Sequence, residues 1–129
     1  MKKKDIQNRA DIDRLMRYFY DKLLEDSEMD IIFNKVLTMD FEHHFSILVD
    51  FWDNILFYTG AYKNNAMAKH FALNDKYPLT KEHFDTWLGF FHEAVDELFT
   101  GEKAELAKSR ATSIATIMQI KMEQLNQPL

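Results

Sequence analysis

The sequence predicts an all-α protein, and three observations predict it. Glycine occurs three times and proline twice in 129 residues, too little turn punctuation for a many-stranded sheet. Apolar residues return at three- and four-residue steps in segment after segment, the period of a helix with one buried face. No stretch alternates apolar and polar residues convincingly enough for a half-buried strand. Five or six helices account for the 129 residues, and the length suits a single domain, 1–129, with no linker, repeat or low-complexity tract.

Composition narrows the function classes. Hydrophobic residues make up 47% of the chain and phenylalanine occurs 11 times, which excludes disorder and argues for a core with large apolar contacts. Cysteine is absent, so disulfides, thiolate zinc sites and a cysteine nucleophile are excluded. The net charge of −5 repels a phosphate backbone, so nucleic acid is not an expected partner. Met1-Lys-Lys-Lys is basic, but polar residues follow it where a secretory signal needs an apolar segment. No apolar run is long enough to span a bilayer. The expectation is a cytoplasmic protein without membrane insertion. Glycine-rich phosphate loops, G-x-S-x-G and H-E-x-x-H are all missing.

Asn8 or Asp11 can cap the first helix. Ile12, Leu15, Met16, Phe19 and Leu23 form its buried stripe, which Tyr20 and Leu24 extend. Tyr18 shares a row with Arg14 and Lys22 and should face water. Tyr20 is therefore the tyrosine placed to bring a hydroxyl inside, where it needs a partner; a core tyrosine bonded to a carbonyl is the plain alternative. Residues 25–30 read as an acidic connector. Ile31, Ile32, Phe33, Val36 and Leu37 make an apolar turn or two, with Phe33 a packing residue at a pocket edge or in an ordinary core.

The stretch from Phe41 to His70 organises the rest. Asp40 caps a helix whose face carries Phe41, His44, Leu48, Phe51, Trp52, Ile55 and Leu56. His43 lies about 100° around the axis, on a mostly polar row, so only His44 faces inward. Gly60 reads as the left-handed stop. Asn64 or Asn65 then caps a segment of about two turns, on which Met67 and His70 share a face. Folded back across the helix, this segment leaves an apolar slot, bordered by Leu48, Phe51, Trp52 and Met67, with an imidazole on each side. Such a slot suits a flat iron macrocycle held by one axial histidine. Taken alone, His70 is more readily a surface or partly buried residue with a backbone partner.

Residues 74–78 read as a loop. Thr80 caps the next helix, whose stripe is Phe84, Trp87, Leu88, Phe91, Val95 and Leu98. The Trp87 indole is a donor only and should aim at an electron-rich atom, in most proteins a carbonyl. His83 lies one turn earlier, and His92 sits on a polar row that should face solvent. Gly101 ends that helix. The last helix carries Ala104, Ala107, Ala111, Ile114, Met118 and Leu125, with Ile117 alongside, and residues 126–129 should fray.

Several segments, in order, resemble the truncated haemoglobins, and in particular their group III branch. They are FYDKLLED (19–26), IFNKVL (32–37), HFSILVDFW (44–52), AYKNNAMAKHFAL (61–73), HFDTWLGFF (83–91) and GEKAELAKSRATSIA in the last helix. The resemblance implies a globin-like two-over-two helical sandwich around haem b. It implies that His70 is the proximal iron ligand, that Tyr20, His44 and Trp87 line the distal side, and that Phe33 stacks near the haem. Asn64 stands where this branch usually has glycine, and Ala66 where it has proline.

Two functions are expected from these residues. One is binding of dioxygen, nitric oxide or other small ligands at haem iron. Two or three distal donors would hold the ligand, so nitric oxide detoxification or peroxidase-like chemistry, served by an unidentified reductase, stands beside simple oxygen binding. The other is a non-catalytic helical bundle that binds an apolar ligand or a partner helix, with the aromatic residues as plain core.

Overall fold

The start of each helix is decided by whichever group satisfies its first free N–H groups. The protein is described here by a computed structural model covering residues 3–62 and 65–127. Helix α1 (Arg9–Leu23) begins at Asn8, whose side chain accepts from the Asp11 N–H at 3.0 Å. Helix α2 (Ser27–Asp30) is capped by Asp26 and runs directly into a π-helical turn, Ile31–Val36. Helix α3 (Phe41–Phe57) begins at Asp40, α4 (Ala66–Lys76) at Asn65, α5 (Lys81–Leu98) at Thr80 and α6 (Glu102–Asn126) at Gly101.

Helix α1 packs on both α3 and α5, while α5 and α3 pack on α6. The result is one helix pair, α1 and α3, laid over a second pair, α5 and α6. Phe19, Leu15, Leu56, Phe91 and Val95 are buried where the layers meet. Phe91 lies between two indoles, stacked on Trp52 at 4.9 Å and on Trp87 at 5.6 Å. The all-α two-over-two sandwich expected from the sequence is the observed architecture, and no described helix is long and apolar enough to cross a membrane.

Several elements differ from the expectation, each for a local reason. The acidic connector contains α2, because Asp26 caps it and Met29 supplies a buried anchor. Helix α3 stops at Tyr58, not Gly60: Tyr58 itself takes the left-handed conformation (φ 57°). Gly60 is also left-handed and donates its N–H to the Asn54 side chain at 2.7 Å. Helix α4 runs through the predicted loop to Lys76, because the Asn74 side chain is buried and bonded. The inner stripe of α3 is shifted. Phe45, Val49, Trp52 and Leu56 face the core, and Phe41, Leu48, Phe51 and Ile55 are only half-buried. On α6 the buried positions include Ala115 and Met122, whereas Ile117 and Leu125 are exposed. His92 does not face open solvent; its Nε2 lies 3.2 Å from the Lys108 carbonyl and 3.1 Å from the Thr112 hydroxyl on α6.

The N-terminal segment has a role that its polar composition hides. Ile6 is buried, and Lys4 pairs with Phe99 in an isolated bridge. Asp5 reaches the start of α6, where its carboxylate accepts from the Lys103 and Ala104 N–H groups at 2.8 and 2.9 Å. Gly101 therefore begins α6 in place of ending α5. It adopts φ 137°, and a Cβ there would sit 2.6 Å from the Asp5 side chain. Asp5→Ala should cost about 1 kcal/mol, the usual worth of a cap. Gly101→Ala should cost at least as much, since it combines a disfavoured φ with displacement of that cap. Urea denaturation of the two variants checks both; a Gly101→Ala variant as stable as wild type would contradict the clash.

Candidate functional site

Helix α4 has apolar side chains but buries none of them fully. Ala66, Met67, Phe71 and Leu73 are half-buried, and Asn74 is its one fully buried residue. Its main packing partner is α6, and it does not pack closely on α3. Across from it, α3 presents the half-buried Leu48, Phe51 and Ile55, with Tyr62 packed edge-on to Phe51 at 5.1 Å. Two half-buried apolar faces thus border the seam between α3 and α4, across which His44 and His70 lie close enough to repel each other when charged.

His70 stands on the α4 side of this seam. Its Nδ1 lies 2.8 Å from the Ala66 carbonyl, one turn back on the same helix. A carbonyl only accepts, so Nδ1 carries the proton and Nε2 keeps its lone pair. Burial lowers the His70 pKa below the ordinary histidine value, which keeps the ring neutral. Asn65 caps the helix by accepting from the Ala68 N–H at 3.0 Å. Ala66 occupies the first helical position, where proline lacks no needed donor and alanine therefore costs no hydrogen bond. Asn64, the other predicted cap, lies outside the described residues.

On the α3 side, His44 faces inward and His43 outward. The His44 Nε2 lies 2.7 Å from the hydroxyl of Tyr20, which α1 delivers from the buried stripe. Burial pushes the tyrosine hydroxyl pKa well up, so it stays protonated. Burial, followed by repulsion from His70 and His43, lowers His44 to about 4. An aromatic cage surrounds the pair: Phe33 from the π-turn is 5.3 Å from the Tyr20 ring and 6.1 Å from the His44 ring, and Phe41 and Phe45 close the other sides. The π-turn is what brings Phe33 there. Arg17 caps the cage from outside, over Phe45 at 4.9 Å, and grips Glu42 with both terminal guanidinium nitrogens.

Trp87 is half-buried on α5, and Phe19 packs edge-on against both Trp87 and Tyr20. Trp52 is fully buried and spends its face on Phe91, one residue around the helix from the seam-facing Phe51. Every fully buried side-chain nitrogen or oxygen among the described residues has a hydrogen-bond partner. Periodicity did not signal three residues on the elements around this site. Asp53 is buried and bound by Arg9 at 3.0 Å, Tyr62 borders the seam, and Asn74 anchors α4. A buried acid on a mixed face and a lone asparagine leave no mark in an apolar pattern.

A surface hollow of about 510 Å³ lies elsewhere, beside Glu28, Tyr77 and His83. There Thr80 N–H donates to His83 Nδ1, so its Nε2–H donates to Glu28, which Tyr77 also bonds. With Asp26 and Glu82 on its walls it does not suit an apolar ring.

The helix order, the two-layer packing and an inward histidine on each side of an apolar seam define the class: a globin of the shortened, two-over-two kind. The bacterial-like globin family model matches residues 5–124. The group 3 truncated haemoglobin ctb of Campylobacter jejuni is 31% identical over 115 residues, covering 87% of this chain and 88% of that one. The crystal structure of the group III truncated haemoglobin from Campylobacter jejuni superposes with a TM-score of 0.83 at 28% identity, over 98% of this chain and 100% of that chain. The chain belongs to the bacterial-like globin family, as a truncated haemoglobin of group III.

The family implies a haem cofactor, and the residues fit one. A single histidine does not hold a bare ion, and among the described residues no cluster of three or more such ligands occurs. One imidazole is enough for iron already held by four ring nitrogens. His70 presents an unprotonated Nε2, and the half-buried apolar residues of α3 and α4 are chemically suited to a flat macrocycle.

The depressed His44 pKa gives a pH prediction. Between its ordinary value of 6.5 and about 4 the unfolded chain binds a proton that the folded protein refuses. Stability of the apoprotein should therefore be full above pH 6.5 and fall as pH drops through this window, with His70 acting in the same direction. His44→Leu should lose less stability than wild type between pH 7.5 and 5 in urea titrations. Equal losses in the two proteins would contradict the buried, neutral imidazole.

Proposed function

We propose that residues 1–129 are one globin domain. In this reading it holds haem b in the seam between α3 and α4, with His70 as axial ligand, and binds dioxygen and other diatomic ligands on the face lined by Tyr20, His44 and Trp87. The observation that carries this reading is the His70 Nδ1–H bond to Ala66, because it leaves the lone pair that a metal needs on Nε2. Phe33, Leu48, Phe51 and Met67 supply apolar contact to the ring, and Trp52 supports them from the core. When bound, haem supplies an iron centre that takes up small diatomic ligands.

The chain's own residues then decide how firmly a ligand is held. The Tyr20–His44 bond has two settings. With the proton on His44 Nε2, the histidine donates to the tyrosine oxygen and the hydroxyl proton is free to point into the cleft. With the proton on His44 Nδ1, the hydroxyl is occupied by the histidine. The first setting makes a donor chain from His44 through Tyr20 to the ligand. Trp87 N–H is a second donor on this face. A hydrogen bond to a charged acceptor contributes about 1.5–3 kcal/mol, so each donor slows release of a negatively polarised ligand roughly tenfold or more. Firm holding suits chemistry on the ligand better than oxygen shuttling. This favours reaction of dioxygen with nitric oxide, or peroxidase-like turnover fed by an external reductant.

Two experiments test the reading. Protein titrated with haemin should give an intense Soret band that His70→Ala abolishes or shifts; a colourless wild type that takes up no haemin would mean a plain helical bundle. Oxygen dissociation measured by stopped flow should accelerate about tenfold or more in Tyr20→Phe and in Trp87→Phe. Unchanged rates in both variants would remove the donor account.

A further inference from the structure

The end of α4 is tied to the end of α6 by a pair of amides. Asn74 donates its Nδ2–H to Asn126 Oδ1 at 2.9 Å, and Asn126 returns a bond from its Nδ2 to Asn74 Oδ1 at 3.0 Å. The Leu79 N–H donates to the same Asn74 oxygen at 2.8 Å, which settles which end of that amide is oxygen. Asn126 also reaches the Leu79 carbonyl at 3.4 Å. Two residues thus join three segments: the last turn of α4, the corner before α5 and the last residue of α6.

This clasp matters because α4 buries no apolar side chain fully. Asn74 is its one fully buried side chain, at 5% exposure, among half-buried apolar neighbours. Asn74 follows His70 by one turn, so the two side chains project within about 40° of each other around the axis. A helix fixed at Asn74 is fixed in its rotation at His70. Freed to roll by 10–20°, it would carry the imidazole out of the tolerance that a ligand site needs.

We infer that Asn74 and Asn126 are positioning residues for His70, setting the roll of α4 and so the aim of the Nε2 lone pair into the seam. The inference rests on the reading of His70 as the haem ligand. Neither asparagine touches that ring; they act through the helix. Asn126→Ala removes one donor and one acceptor and leaves the buried Asn74 amide N–H₂ without its partner. Asn126→Asp keeps the acceptor for Asn74 but sets a charged oxygen against the Asn74 and Leu79 oxygens.

The test uses the full chain reconstituted with haemin, with three readouts. In Asn126→Ala, haem loss to an excess of a scavenging apoglobin should be roughly tenfold faster, the effect typical of groups that orient a metal ligand. The iron–histidine stretching band of the unliganded ferrous protein should shift or broaden. Amide exchange over residues 66–76 of the apoprotein should quicken while α5 and α6 keep their protection. Asn126→Asp should be no better than Ala, because its second oxygen faces acceptors only. Wild-type behaviour of Asn126→Ala in all three overturns the inference. So does a uniform rise of exchange in every helix with an unmoved band, which is a general loss of stability. A wild-type protein with no iron–histidine band, or a band that survives His70→Gly, removes the ligand reading instead, and the exchange over 66–76 still decides whether the clasp holds α4.

Discussion

An imidazole binds a metal only through a nitrogen that is not already carrying a proton. In this chain that condition is met by one hydrogen bond, from His70 Nδ1 to the carbonyl of Ala66. The same carbonyl lies in position to close the helical turn, and its two lone pairs serve both donors. The bond needs a regular helix from Ala66 onward, and that regularity depends on the Asn65 cap and on anchorage at the far end by Asn74. Loss of either end loosens the same ring. A short helix with incompletely buried apolar residues is thereby held at both ends.

The opposite wall is built on a different principle. Tyr20 and His44 come from two helices that pack tightly, so their pairing is set by core packing between α1 and α3 and not by a local turn. Burial keeps both groups neutral, the tyrosine by raising its pKa and the histidine by lowering its own. A neutral pair in an aromatic cage can reorient one proton without moving a formal charge. Arg17, with its hold on Glu42, sits over Phe45 on the outside of the cage and keeps its charge in solvent.

Much of this was legible in the sequence, and what was missed has physical causes. Helical spacing separated His44 from His43 and Tyr20 from Tyr18, and the structure turns the first of each pair inward. It could not tell a face that packs on protein from a face that borders a seam, because both are apolar. Spacing therefore favours Leu48 and Phe51, while Phe45 and Val49 are the residues that pack on protein. Helix ends depart from the local pattern where the deciding partner is remote. Gly101 answers to Asp5, and Asn74 answers to Asn126, neither of which is near in sequence. Tyr58 shows the converse: a bulky residue takes the left-handed stop while a glycine two positions later was the obvious candidate.

The central claim is that the Nε2 of His70 bonds iron in the seam between α3 and α4. The most direct measurement is a crystal structure of the ferric protein grown with haemin. The account predicts the tetrapyrrole between those helices, with His70 as its axial ligand and the Tyr20 hydroxyl over the opposite face. A haem bound through another residue, or a seam closed by its own side chains with haem elsewhere, would contradict it.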